Sequence, residues 1–224
     1  MSHASQTPSF TTERAFLLRR LHSLTGIVPL GGFLLFHFFE NASVRQGAEA
    51  FDETVLKISQ MPYLPILEIG TLIIPLLFHA LYGLFIRTPS RPNVGSYGYS
   101  RNWAYFMQRV TGVIAFAFIT YHVISTRLWS VVVKGSHITF ADMHDYLSDP
   151  LILLFYALGI VAVAFHFANG IWSFSITWGI VTTESAQKRL ARLTLLIFVA
   201  LSVVGLDIAW TFSTKTSFLA ALGV

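Results

Sequence analysis

The chain has 224 residues, of which 54% are hydrophobic and only 12% charged, with a net charge of +4 and no cysteine. That is too apolar for a water-soluble domain of this length and points to a polytopic membrane protein. The missing cysteines exclude disulfides, cysteine-held iron–sulfur clusters and covalent c-type haem, which leaves histidine as the main metal ligand. The basic residues sit in short loops between apolar runs, which argues against a nucleic-acid partner.

In chain order, residues 1–13 read as a polar tail, with no cleavable signal peptide expected. A first apolar run, Leu17 to Phe39, is long enough to span a bilayer. A loop follows, in which Ala48 to Ser59 reads as a short interfacial helix. The second run is Leu64 to Ile86. A loop rich in proline, glycine, tyrosine and asparagine leads to the third, Trp103 to Val133. A polar loop carrying Asp142, Asp145 and Asp149 precedes the fourth, Pro150 to Trp178. A short charged turn leads to the fifth, Leu190 to Phe212, and residues 214–224 form a short tail. The fold class expected is all-α: a polytopic membrane protein of five transmembrane helices, residues 14–213, with the first four forming a cofactor-holding bundle. Pro29 and Pro75 are expected to kink their helices, the freed carbonyls being met by neighbouring helices.

Loop charge sets the expected orientation. Arg14, Arg19 and Arg20 precede the first run; Arg87, Arg91 and Arg101 flank the loop after the second; Lys188, Arg189 and Arg192 flank the turn after the fourth. The other two loops carry Glu49, Asp52 and Glu53, then the three aspartates. A multi-pass membrane protein with its N-terminus in the cytoplasm and its C-terminus outside follows from this bias.

The chain also repeats itself. Phe78-His79-Ala80-Leu81-Tyr82-Gly83-Leu84 returns as Phe165-His166-Phe167-Ala168-Asn169-Gly170-Ile171, and Leu24-Thr25-Gly26-Ile27 as Val110-Thr111-Gly112-Val113. His37 and His122 follow the two Thr-Gly elements at nearly equal distances. The first four runs therefore read as two parallel copies of one hairpin, with a fifth helix added.

Ionisable residues in such runs are functional candidates. At about 1.5 Å of rise per residue, His37 and His122 lie roughly 30 Å from the inner ends of their helices, and His79 and His166 roughly 10–18 Å. An outer pair on the first and third helices and an inner pair on the second and fourth would hold two bis-histidine haems stacked across the membrane. Six-coordinate iron of this kind suits electron transfer rather than oxygen binding. Gly83 and Gly170, one turn after the inner histidines, together with Gly26 and Gly112, give flat patches that leave room for a ring. Arg20, His22 and Ser23, and Arg109 at the same level on the third helix, suit haem propionates. At the outer side, Glu68, Arg127 and Asp207 form a polar set. Asp207 lies level with the outer pair, and is read either as the partner of Arg127 or as a proton donor to a quinone. His3, His137 and His144 read as solvated surface.

These motifs resemble a known family. Arg19-Arg20-Leu21-His22-Ser23-Leu24, Gly47-Ala48-Glu49-Ala50-Phe51, His79-Ala80-Leu81-Tyr82-Gly83, Arg101-Asn102-Trp103, Gln108-Arg109 and Thr177-Trp178-Gly179-Ile180 are similar to the dihaem cytochrome b subunit of bacterial succinate:quinone oxidoreductases. So is the long, highly specific run from Phe165 to Phe174. The resemblance spans roughly Thr12 to Phe212 and is closest to the single-subunit, five-helix type of Gram-positive succinate dehydrogenases. It implies that His79 and His166 hold the haem nearest an iron–sulfur subunit and that His37 and His122 hold the distal one. It further implies a flavoprotein subunit that oxidises succinate, no dicarboxylate site in this chain, and delivery of electrons to a quinone, commonly menaquinone. Some relatives run as fumarate reductases. A glutamate that some of these carry near the fourth-helix ligand is absent: Ala162, Val163, Ala164 and Phe165 stand there. Two other classes remain open from the residues alone, the cytochrome b of a hydrogenase or formate dehydrogenase and a haem-free membrane transporter.

Overall fold

The computed structural model describes residues 10–87 and 93–223. His3 and Arg91, invoked above, lie outside these residues. Among the described residues there is no strand, and five helices are long and apolar enough to cross a membrane: Glu13–Gln46, Leu64–Ile86, Ser100–Lys134, Pro150–Thr177 and Glu184–Thr214. Large apolar side chains face outward along them, including Leu17, Phe39, Ile66, Phe85, Leu158 and Leu196. In water such a surface would aggregate; in a bilayer it is the solvated face.

The first span is broken where expected. α1 (Phe10–Ile27) and α2 (Pro29–Asn41) meet at Pro29, which has no N–H to donate and whose ring crowds the preceding turn. α3 (Ala48–Ser59) is the short helix anticipated in the first loop. The second span runs from α4 (Leu64–Leu67) into α5 (Ile74–Arg87) through a π-helical stretch, Glu68–Ile73. Pro75 follows that stretch at once, and the wider helical turn accommodates the hydrogen bond that proline cannot make. α6 (Ser100–Val123) begins the third span, which continues through two further π-helical stretches, Ile124–Leu128 and Ser130–Lys134.

The aspartate-bearing loop contains α7 (Phe140–Leu147), a helix not anticipated above. Thr139 and Asp142 form a reciprocal capping box, and Phe140, Met143 and Leu147 are buried on one face. Burial acts to raise the Asp142 carboxyl, but hydrogen bonds from Lys134 and Thr139 outweigh it and hold it below the usual carboxylate range. His144, read as solvated surface, is instead half-buried; its Nδ1 lies 2.8 Å from the Phe212 carbonyl and its ring stacks on Phe140. α8 (Pro150–Thr177) starts with Asp149 as N-cap and Pro150 in the first turn. α9 (Glu184–Thr214) starts six residues before the expected Leu190, because Thr183 caps it. α10 (Phe218–Ala221) closes the chain.

α1 packs against α5, and α6 against α8, so the two repeated hairpins form as pairs; α1 also meets α8, and α9 lies along α8. Small residues allow the close crossings: Ala162, Ala164 and Ala168 are buried on α8, and a Cβ on Gly205 of α9 would lie 2.6 Å from Ile160 Cγ2. A compact apolar core, Val44, Phe51, Phe118, Phe140, Met143, Leu147, Tyr156, Ile208 and Phe212, sits at the end of the bundle where α3 and α7 plug in between the spans. This is the acidic end. The opposite, basic end carries Arg20, Arg101 and Arg109.

Candidate functional site: two facing histidine pairs

His79 of α5 faces His166 of α8, with ring centres 6.1 Å apart and planes at 88°. His37 of α2 faces His122 of α6, with ring centres 5.8 Å apart and planes at 70°. Two imidazoles on opposite sides of one metal, each bonded at about 2.0 Å through a ring nitrogen, put their ring centres about 6 Å apart. Both pairs have this spacing. Among the described residues no cluster of three or more His, Asp or Glu could hold a metal by itself. The pairs therefore suit a metal whose other ligands arrive with it, as in a porphyrin.

The pair nearer the basic end is set by backbone. Nδ1 of His79 lies 2.9 Å from the His22 carbonyl, and Nδ1 of His166 lies 3.0 Å from the Gln108 carbonyl. A carbonyl can only accept, so each Nδ1 carries the proton and each Nε2 is left with a free lone pair for a metal. Gly26 and Gly112 make the space for these rings. A Cβ on Gly112 would lie 2.9 Å from His166 Cε1, and one on Gly26 would overlap His79 Cε1. Their role is thus to admit an imidazole from the neighbouring helix. Gly83 faces the ring of His22 in the same way, whereas a Cβ on Gly170 would meet only Gln108 Nε2, at 3.8 Å.

The second pair is set by side chains. His122 Nδ1 lies 3.1 Å from the Tyr156 hydroxyl, and Phe118 stacks on its ring. His37 Nδ1 lies 3.3 Å from Asn41 Nδ2 and 3.7 Å from a Glu40 carboxylate oxygen, with Phe33 stacked on its ring.

Of the residues singled out for propionates, Arg20 and Ser23 meet at Trp178. The Arg20 guanidinium lies over Trp178 and Phe16, and Trp178 Nε1 donates to Ser23 Oγ at 3.0 Å. Arg109 lies over the Tyr105 ring and hydrogen-bonds its hydroxyl. His22 stacks flat against His79.

At the acidic end one expected pairing fails. Asp207 is fully buried and its partner is Arg45, at 2.8 Å, not Arg127. Ser217 Oγ and the Leu219 N–H also donate to its carboxylate, so α9, the first loop and the C-terminal segment are clasped together. Both of its oxygens accept hydrogen bonds. Arg127 pairs instead with Glu68 at 2.9 Å, tying the π-helical stretches of the second and third spans; both side chains are about one-third exposed (38% and 32%).

Sequence reasoning did not single out Arg45, Tyr146 or Tyr156, and placed Gln108 only beside Arg109 among the propionate candidates. Gln108 is the most informative: besides its carbonyl, its side chain donates to the His166 carbonyl and accepts from Asn169 Nδ2 at 2.8 Å. The available signal was its place, four residues before Gly112, matching His22 before Gly26. Beside Tyr156, a cavity of about 470 Å³ is lined by residues that include Ser125, Thr126, Trp129, Asp142, Asp145 and Tyr146. The Tyr146 hydroxyl is buried beside Ser125 and Tyr121, and burial pushes it up to about 12, so it stays protonated as a donor.

A family model described as "Succinate dehydrogenase/Fumarate reductase transmembrane subunit" matches residues 86–205. Over 199 residues, 89% of this chain and 98% of the relative, the sequence is 43% identical to a Bacillus subtilis (strain 168) protein named succinate dehydrogenase cytochrome b558 subunit.

Proposed function

Because this chain belongs to the succinate dehydrogenase/fumarate reductase transmembrane-subunit family, as a cytochrome b membrane anchor, we propose that it holds two haems b and carries electrons from an iron–sulfur subunit to a membrane quinone. The observation that carries this reading is the spacing of two histidine pairs, 6.1 and 5.8 Å between ring centres. His79 and His166 hold the haem nearer the basic end, and His37 and His122 hold the other. When bound, the haems supply one-electron carriers at two levels of the bundle. The relative's name supports haem b and an assembly with the flavoprotein and iron–sulfur subunits of succinate dehydrogenase. It also favours this reading over a hydrogenase or formate dehydrogenase cytochrome and over a haem-free transporter.

The protein's own residues do three things. The carbonyls of His22 and Gln108 hold the protons on His79 and His166 at Nδ1, which presents Nε2 to the pair's centre. The phenylalanine rings against His37 and His122 keep water from the second pair. The arginines of the basic end, set toward the cytoplasm by the charge bias of the loops, face the side where soluble subunits dock.

Quinone reacts at the acidic end, in the cavity beside Tyr156. Its volume is in the range of small-molecule sites, and a buried, protonated hydroxyl, Tyr146, lies in its wall. Ser125 offers a second hydroxyl, and Asp145 lines the same space toward the aqueous side as a proton carrier. Arg127 stands on the same π-helical stretch as Ser125, and its pair with Glu68 holds the second and third spans together there. In the assembled complex, Tyr146→Phe is expected to leave reduction of the cytochrome by succinate unchanged. Reoxidation by a menaquinone analogue is expected to slow about tenfold, the effect of losing one hydrogen bond to the bound head group. Stopped-flow absorbance at the b-haem bands measures both. Unchanged reoxidation would move the quinone out of this cavity, and failure of succinate to reduce any haem would overturn the electron-transfer role.

A further inference from the structure

The two hairpins repeat one helix crossing, and the copies differ at the residue that leads each crossing. In the first, His22 and Gly26 of α1 meet His79 and Gly83 of α5. In the second, Gln108 and Gly112 of α6 meet His166 and Gly170 of α8. The backbone pattern is the same in both. The carbonyl of the leading residue accepts from the histidine Nδ1, at 2.9 and 3.0 Å. The glycine one turn later admits the histidine ring. The side chain of the leading residue lies toward the glycine one turn after the histidine: His22 Nε2 is 2.9 Å from a Cβ built on Gly83, and Gln108 Nε2 is 3.8 Å from one built on Gly170.

The side chains then part. Gln108 spends its amide on hydrogen bonds to the His166 carbonyl and Asn169, and no flat group lies on the His166 ring from this position. His22 lays its imidazole on that of His79, with centres 4.2 Å apart and planes within 8°. Gly83 is required for this, since any Cβ there would strike His22 Nε2. A ring held at Nδ1 by one hydrogen bond can still rock about that bond; a second ring flat against its face removes this freedom. The plane of an axial imidazole sets how its orbitals overlap with the iron, so fixing the plane fixes an electronic property of the metal.

We propose that His22 is a positioning residue of the first histidine pair: its stacked ring sets the plane of His79, and so the spectrum and potential of the haem held there, while His166 has no such clamp. This rests on the haem assignment made above. The test uses the assembled complex with two variants. His22→Gln copies the second crossing onto the first and removes the stacked ring; His22→Phe keeps a flat ring in place without nitrogen. The readouts are haem content by pyridine haemochrome, electron paramagnetic resonance of the oxidised low-spin haems, and a redox titration followed optically.

His22→Gln is expected to keep two haems per chain and to shift the resonance and the midpoint of one haem while the other stays as in the parent. His22→Phe is expected to retain the parent spectrum and midpoint. A His22→Gln variant with both signals unaltered would overturn the inference, and so would equal shifts in the two variants, since the ring would then not be the cause. Loss of haem from both variants would also overturn it, by making His22 part of the packing alone. His79→Ala, measured alongside, separates the two levels: if it loses one haem while His22→Gln is silent, only the role of His22 falls.

Discussion

Gly112→Val is expected to abolish binding of one haem, although Gly112 presents no side chain to any metal. A Cβ at this position lies 2.9 Å from His166 Cε1 and 3.2 Å from His166 Nδ1. Contacts this short do not persist, and the two γ-methyls of valine deepen the clash. Neither partner has an easy retreat. Thr111, next to Gly112, is buried and α6 is packed along α8, so the backbone is pinned. His166 is fixed by the hydrogen bond from its Nδ1 to Gln108 and has Ala164 and Ala168 buried on either side of it along α8. The ring must swing out, which breaks that bond and takes Nε2 off its line to His79. The variant should hold one haem per chain in place of two, with the remaining spectrum that of the His37/His122 site. Gly170→Ala is the matched control: its new methyl meets only Gln108 Nε2 at ordinary contact distance, so both haems should remain. Loss of a haem from Gly170→Ala with retention in Gly112→Val would mean that the rings lie on the glycines of the second and fourth spans, as the sequence pattern alone suggested.

Asp207→Ala should lower stability by about 3–5 kcal/mol, the cost of leaving one member of a buried ion pair without its partner. Asp207 is fully buried, while Arg45 is 26% exposed in its side chain and already has one nitrogen, Nη2, buried without a partner. Removing the carboxylate strands the Arg45 charge together with the Ser217 hydroxyl and the Leu219 N–H. Since Arg45, Asp207 and Ser217 lie on three separate segments of the acidic end, their loss should free the C-terminal hook and the first loop together. Arg45→Met combined with Asp207→Ala should recover most of the loss, because the pair is then replaced rather than broken. Thermal denaturation in detergent, followed by circular dichroism, measures this. An unchanged melting temperature with slowed quinone reduction would favour the proton-donor role for Asp207 and contradict the clasp.

Much of this architecture is legible in the amino-acid order. The five apolar runs, the break at Pro29, the helix from Ala48 to Ser59 and the start of the fourth span at Asp149-Pro150 all follow from length, periodicity and capping chemistry. What was illegible has a common cause. Counting rise along a helix gives depth but not direction around the axis. Asp207 is level with the outer histidine pair by that count and within reach of Arg127, yet the acid faces Arg45 and the arginine faces Glu68. The π-helical stretches at Glu68–Ile73 and Ile124–Leu128 add to this, since each extra residue per turn rotates everything beyond it. The glycines show the same limit. Within one helix, Gly83 and Gly170 follow the histidines by one turn, which suggested a shared patch. The close approach actually runs between helices, from His79 to Gly26 and from His166 to Gly112, and only the crossing reveals it. α7 is a different case. Thr139 and Asp142 spell a capping box in front of apolar residues at helical spacing, Phe140, Met143 and Leu147, a signal masked by the density of aspartates in the same stretch.

The pairing of the four histidines is tested most directly by counting haems in single and double variants with pyridine haemochrome and protein quantitation. The parent should hold two haems b per chain. His79→Ala should hold one, and adding His166→Ala should remove no more, because both residues serve the same haem. His79→Ala combined with His122→Ala should hold none. If the His79/His166 double variant lost both haems while the His79/His122 variant kept one, the pairs would be wrongly drawn. A folded parent without haem would contradict the account as a whole.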